Sequence, residues 1–316
     1  MLYNIKKSFA IHHIKQNQHI IYFEEYGNPL GIPVIFLHGG PGSGCNEAQK
    51  AIFDYKKYRV VFLDQRGSGK STPKGEIKNN TTLKLINDIE VVRKYLKIER
   101  WVVVGGSWGA TLALAYGQAH TDRVEAMILR ALFLGTKKEI DWAFLNAPLK
   151  FRPELIHRLN HFLNNKRLIN PIFALGKMLE NKNEKIRILG ADLWLAYESN
   201  LSTIQFDYNT FNEVLSNSGK KKKILPNTPF LEWHYIKNNF FLKPNQLLKH
   251  KKKLSNINIS IIQSDYDLLC PPQTSFNFAS GLSNCKVIRI ANAGHYISDP
   301  GVKEMMKQIL DEYEKI

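Results

Sequence analysis

No run of 18 or more apolar residues occurs in this chain, so the sequence offers no helix able to cross a bilayer. The apolar core of a secretory signal is lacking too: residues 11–18 (IHHIKQNQ), following Lys6 and Lys7, are polar. Cysteine is scarce. Cys45, Cys270 and Cys285 lie far apart, are odd in number and form no CxxC pair, which argues against a disulfide framework or a zinc site. A reducing cytoplasm is the expected compartment. The ten histidines show no HExxH or other ligand spacing, and no internal repeat is present. No metal or organic cofactor is expected. Acidic residues are few, 28 against 44 Lys+Arg, leaving a net charge of +16.

That charge alone would suggest an anionic partner. Its composition points elsewhere. Lys outnumbers Arg 33 to 11, whereas nucleic-acid readers favour Arg for its bidentate contacts. Only two tight runs occur, at 220–223 and 251–253, and no nucleic-acid-binding motif accompanies them. A solvated basic surface is the simpler reading, with no nucleic-acid or membrane partner. The oligomeric state is left open. Hydrophobic residues at 44% and charged residues at 23% are ordinary globular values. The 316 residues exceed the roughly 250–300 that one core accommodates, so a large insertion or a second domain is expected.

Short apolar runs at 32–37 (IPVIFL), 58–63 (YRVVFL), 101–104 (WVVV) and 124–129 (VEAMIL) suit strands buried on both faces of a parallel sheet. An N-terminal hairpin is expected from 6–12 and 19–26. Helices are expected at 82–96, capped by Thr81 or Thr82, and at 108–120. From about 136 to 254 strand-like runs disappear and helical segments take over, as at 153–164, 172–181 and 184–200. Residues 216–223 (SNSGKKKK) read as an exposed loop. The strand pattern returns at 257–263 and 287–290, before a last helix at 301–314. The fold class is therefore α/β, a mostly parallel sheet with helices on both faces. Residues 1–135 and 255–316 form the core and 136–254 an inserted helical cap.

Gly105-Gly106-Ser107-Trp108-Gly109 is a GxSxG sequence between a buried strand and a helix, the context a nucleophile elbow requires. A serine hydroxyl needs a base, and the base needs an orienting acid. His295 and Asp267 follow later strands, in the order serine, acid, histidine. Asp265 rivals Asp267 for the acid, and Asp299 is a weaker rival that reads as a cap of the last helix. His12, His13, His157, His161 and His250 read as surface or core residues. Two backbone N–H groups should hold an oxyanion: that of Trp108, and that of Gly40 in His38-Gly39-Gly40-Pro41-Gly42. This loop is neither GxGxxG nor GxxxxGK[ST], so it is a poor phosphate cradle.

HGGPG (38–42), DQRGSGKS (64–71) and GGSWGATL (105–112), with Asn80-Thr81-Thr82, Leu129-Arg130 and Tyr266-Asp267 before Cys270-Pro271, resemble the proline iminopeptidases, serine exopeptidases of the α/β-hydrolase fold. The resemblance runs through both halves of the core and, more loosely, the cap. It implies Asp267 rather than Asp265 as the acid. It implies that Glu198 and Glu232 in the cap bind the free amino end of a short peptide beginning with proline. It places Phe133 on the pyrrolidine ring, and Arg130 against a glutamate or the substrate. One departure concerns the ring pocket: near Trp142 the family often carries a tyrosine, and Ala143 stands there, with Phe144 next. Another serine hydrolase of this fold (an esterase, an amidase or a broader aminopeptidase) is the nearest alternative. A basic binding protein on the same scaffold is the alternative of a different class.

Overall fold

The computed structural model describes residues 2–165, 169–205, 207–216 and 227–314. The strands are β1 (Ala10–Gln16), β2 (His19–Gly27), β3 (Ile32–Leu37), β4 (Tyr58–Leu63), β5 (Trp101–Ser107), β6 (Val124–Leu132), β7 (Asn258–Ser264) and β8 (Cys285–Ile290). They form one sheet in the order β1-β2-β4-β3-β5-β6-β7-β8. The first two pairings, β1 with β2 and β2 with β4, are antiparallel, and the other five are parallel.

The apolar runs are continuous because both faces are covered. Ile35 and Leu37 of β3, with Trp101 and Val103 of β5, join the core on one face. Val34, Phe36, Val102 and Val104, their alternating neighbours, join the core on the other. Side chains of period two therefore fill two layers at once. The small-residue helix Trp108–Ala119 is buried against the sheet from Trp108 to Gln118. Thr81 caps the helix Thr82–Tyr95, its side chain accepting from Lys84 N–H, as expected.

The hairpin differs from expectation. Its first strand runs over 10–16 rather than 6–12. Asn17 takes φ 56°, and Asn is among the few side chains that tolerate this region, so the tight turn falls at Asn17-Gln18. Residues 10–16 alternate between half-buried and exposed positions, so this edge strand carries polar residues that hide it in a hydropathy pattern.

All described elements between β6 and β7 are helical. Their buried residues, including Leu155, Trp194, Tyr197 and Tyr235, run on into the core that contains Trp108 and Ile35. The insertion is thus anchored by the sheet's own hydrophobic layer. Apart from Ser216, the loop expected at 216–223 lies outside the described residues, and so does the run 220–223. The other run, at 251–253, includes a structural lysine. Lys251 Nζ donates to the carbonyls of Asn277 (3.3 Å), Phe278 (3.0 Å) and Ser280 at the C-terminal end of the helix Pro272–Ala279, where a cation suits the helix dipole.

One buried ion pair braces the loop after β4. Arg66 donates to Asp88 from Nε (2.6 Å) and Nη2 (2.7 Å), and to Asn79 O from Nη1 (2.6 Å). Burial raises the pKa of Asp88, a pull that Arg66 opposes. A buried pair adds little over apolar packing, but breaking it strands a charge. Asp88→Ala is expected to cost about 3–5 kcal/mol, read as a lower urea midpoint. A loss below about 1 kcal/mol would mean that water reaches the guanidinium.

Candidate active site

β5 turns directly into the helix Trp108–Ala119, and Ser107 sits at the junction with φ 56° and ψ −124°. An L-residue held there stores strain of about 1–3 kcal/mol. The flanking glycines are required by space. A Cβ on Gly105 would lie 2.5 Å from Gly109 O, and one on Gly109 would lie 2.1 Å from Leu37 O. The strain turns the serine out of the strand at the C-terminal edge of the sheet. Gly40, Asp267 and His295 follow the ends of β3, β7 and β8 at the same edge, where loops collect functional groups in open α/β sheets.

Asp267 is buried. Its Oδ1 accepts the N–H groups of Leu269 (3.0 Å) and Cys270 (2.8 Å). His295 Nδ1 meets Oδ1 at 3.0 Å and Oδ2 at 2.9 Å. The Nδ1 proton is therefore held by the carboxylate, leaving Nε2 as the basic nitrogen. Asp265 instead forms a two-pronged pair with Arg289 at 2.8 and 2.9 Å. The two rivals for the acid are thus separated by what each one holds.

Asp299 does not cap the last helix. Gly301, at φ 83°, occupies the N-cap of Val302–Glu312, and Asp299 Oδ2 accepts Gly294 N–H at 2.6 Å. It secures the turn just before His295. Of the two partners expected for Arg130, a glutamate or the substrate, the glutamate is not the one it bonds. It donates from Nη1 to His295 O at 2.5 Å, and that carbonyl, rather than a glutamate, is its hydrogen-bonded partner. On the other side of the same residue, His295 N–H donates to Ser202 O at 2.8 Å, at the end of the helix Glu184–Ser202. The histidine backbone is clamped between the sheet and the insertion.

Cys270 lies beside this pair. One ligand atom from each of Asp267, Cys270 and His295 falls within 4.8 Å of the others. Burial pushes the Cys270 thiol well above its ordinary pKa, and Cys270 lines the same cavity as Ser107. A raised thiol pKa disfavours the thiolate that binds metals, and the Asp267 oxygens already have partners.

The HGGPG loop is fixed through His38. Its Nε2 accepts Gln65 N–H at 3.0 Å, so the proton sits on Nδ1, which donates to Gly39 O at 2.9 Å. Burial lowers the pKa of His38, which keeps the ring neutral and this tautomer in place. In a trans peptide the C=O and N–H point in opposite directions. Holding Gly39 O therefore aims the N–H of Gly40 the other way. Gln65 Nε2 also donates to His38 O at 2.8 Å, and Trp108 Nε1 donates to Gln65 Oε1 at 2.8 Å. The two expected oxyanion donors thus belong to one hydrogen-bonded unit.

Gly40, Ser107, Phe133, Glu198 and Glu232 line one cavity of about 50 Å³, together with Ala143, Phe144, Ile236, Phe240 and Cys270. Ala143 and Phe144 both reach it because Trp142–Asn146 forms a π-helical turn, a local widening frequent at functional sites. Motif reading missed Phe144 as a wall, and also Ile236 and Phe240. Ile236 had a signal, since it lies four residues after Glu232 and so on the same helix face. Phe240 had none. A larger hollow of about 460 Å³ opens near the start of β7, lined by Asn258, Lys286 and Glu312 among others, but it lacks a nucleophile with a base.

Residues 32–302 match the model of the α/β hydrolase fold family. A probable proline iminopeptidase of Leptolyngbya boryana is 35% identical over 93% of this chain and 91% of that protein. The proline iminopeptidase of Neisseria gonorrhoeae is 34% identical over 98% of both. The chain belongs to the proline iminopeptidase family of α/β hydrolases. Among solved structures, a proline iminopeptidase-related protein of Thermus thermophilus has a TM-score of 0.60 at 22% identity, covering 96% of this chain and 97% of that one. A Rhodococcus esterase has a TM-score of 0.62 at 14% identity, covering 97% of this chain and 100% of that one. These two show the shared fold alone.

Within this family frame, the two glutamates are the unusual electrostatic feature. Glu232, buried on the helix Asn227–Lys237, accepts Trp194 Nε1–H at 2.5 Å. Its pKa is pushed well up, first by burial and then by the negative charge of Glu198. The pKa of Glu198 is raised by burial, against the pull of His295 and of a hydrogen bond from Glu232. The two carboxyls thus titrate as one coupled pair that favours holding a proton between them. An acid whose folded pKa is raised loses stability as pH climbs from its unfolded value toward its folded one. Gln mimics the protonated acid and has no such loss. Glu232→Gln is thus expected to raise the urea midpoint at pH 8, with a smaller gain at pH 5. A destabilisation equal at both pH values would contradict the shared proton.

Proposed function

We propose that the protein is a prolyl aminopeptidase that removes N-terminal proline from short peptides through a Ser107–His295–Asp267 acyl-enzyme mechanism. The observation that carries this reading is the meeting, in one small cavity, of a strained serine, the buried Glu232 and the half-buried Glu198. A cationic amine is costly to bury unless carboxylates pair with it. Glu198 and Glu232 supply that pairing and fix the amino end, which belongs to the same residue as the reacting carbonyl. The walls around Phe133 receive the pyrrolidine ring. Residues 136–254 act as the cap that closes over a short chain.

Ser107 Oγ attacks the prolyl carbonyl carbon as His295 Nε2 takes its proton. Asp267 remains ionised and stabilises the imidazolium. The N–H groups of Gly40 and Trp108 hold the oxyanion, aided by the N-terminal end of the Trp108–Ala119 helix. The C–N bond breaks as His295 gives the proton to the leaving amine. Water then attacks the prolyl ester, losing a proton to His295, and Ser107 recovers its hydroxyl proton as proline departs. Arg130 acts through the His295 carbonyl and Asp299 through the Gly294 N–H just before it, which makes both positioning residues.

The test compares prolyl, alanyl and leucyl anilides with a simple acyl ester. Wild type should favour the prolyl anilide, and Ser107→Ala should lose about 10⁶-fold in kcat. Glu198→Gln should lower kcat/KM for the prolyl anilide about 10–100-fold and leave the ester within about twofold. Activity on the ester alone would favour an esterase and overturn the peptidase reading. Activity surviving in Ser107→Ala would overturn the mechanism. No turnover of any substrate would favour a binding role.

The raised Glu198 pKa sets a pH dependence with a definite sign. As pH falls, the pair gains a proton and stops attracting the amine. KM for the prolyl anilide should rise on the acid side, beginning above the ordinary glutamate value, while KM for the neutral ester stays flat. Parallel KM profiles would remove the ammonium site.

A further inference from the structure

We infer that Phe240 is a specificity-determining residue: it walls the reacting cavity off from a second, outer cavity and so limits the N-terminal residue to about the size of a proline ring. The inference rests on the aminopeptidase reading above.

The outer cavity, about 130 Å³, is larger than the reacting one of about 50 Å³. Ile140, Ile236 and Phe240 line both, so these three side chains are the partition. The far side of the outer cavity is lined by Gly135, Phe173 and Asn239, with Lys137 and Lys237. Both lysines face acids, Asp141 and Glu180. The space between is suited to an apolar side chain.

Phe240 is held in place by an improbable backbone. Asn239, Phe240 and Phe241 take φ of 49°, 55° and 53°. L-residues enter this region singly and rarely, and a run of three persists only where the surroundings over-determine it. Here they do. Thr82 Oγ1 donates to Phe240 O at 2.5 Å. The Phe240 ring stacks on Trp108 at 5.8 Å and meets the edge of Phe133 at 4.9 Å. Behind it, a Cβ on Gly135 would lie only 3.3 Å from Phe240 Cβ and Cγ. The base of the side chain is thus packed against Gly135, and the ring is held on its other side by Trp108 and Phe133. A wall braced in this way rejects larger side chains by shape, because it cannot yield to them.

Removing the wall should let a leucyl or phenylalanyl side chain extend into the outer cavity. The test measures kcat/KM on prolyl, leucyl and phenylalanyl anilides for Ile236→Val, Phe240→Leu and Phe240→Gly. Glycine suits the left-handed turn, which offsets part of the lost packing. Ile236→Val removes a single methylene and keeps the partition testable even if both Phe240 variants fail to fold. The leucyl-to-prolyl ratio is expected to rise with the volume removed, about tenfold or more per step. Adding Phe173→Trp to Phe240→Gly, which fills the outer cavity, should reverse the gain. A flat ratio across the folded variants, or a gain that Phe173→Trp leaves untouched, would overturn the inference. Failure of the wild type on the prolyl anilide would instead overturn the aminopeptidase reading.

Discussion

Glu198 and Glu232 stand together beneath the insertion, and neither could stay there without the helices that carry them. Two carboxyls close together in low dielectric repel one another and lose their water. Trp194 Nε1 and a shared proton offset that cost. The helix bearing Glu198 ends at Ser202, whose carbonyl accepts the N–H of His295. The helix bearing Glu232 docks on the core through Asn80, which is met by His234 Nε2 and by Tyr235 Oη–H, both at 2.8 Å. Asn80 in turn donates to Arg66 O, beside the buried pair with Asp88. The carboxyl pair is therefore tied to the histidine loop on one side and to the sheet on the other.

This arrangement explains why the insertion shares the sheet's hydrophobic core. A loosely hinged cap could not hold a buried charge at a fixed distance from a serine. On the opposite wall, His38, Gln65 and Trp108 form a second rigid unit, joined to the cap helix by the packing of Trp108 on Tyr235 at 4.7 Å. In the proposed reaction, recognition of the amine and stabilisation of the oxyanion would rest on neighbouring surfaces of one packed structure. Preorganisation of this kind lets dipoles act without rearranging during the reaction.

Much of this was legible in the sequence, for physical reasons. Strands buried on both faces leave continuous apolar runs, and the strained serine turn demands Gly105 and Gly109 because a Cβ has nowhere to go. Asp267 and His295 could be placed by their position after strands. What escaped was tertiary. Nothing local distinguishes Asp299 as a clamp on Gly294 from a helix cap, and Arg130 carries no mark of its bond to His295 O. The edge strand at 10–16 was misplaced because half its residues face water. Phe240 lies in a segment that no L-residue propensity would send into the left-handed region. The walls of the cavity come from separate loops and helices, and only Ile236, four residues after Glu232, is joined to a site residue by spacing.

The central claim is that the buried pair holds a proton which a substrate amine displaces. Isothermal titration of Ser107→Ala with the dipeptide Pro-Ala, in buffers of differing ionisation enthalpy, measures that exchange directly. A cation arriving beside both carboxyls lowers their pKa values, so the account predicts release of about one proton per peptide bound near neutral pH. Binding with no net proton exchange, or with proton uptake, would contradict it.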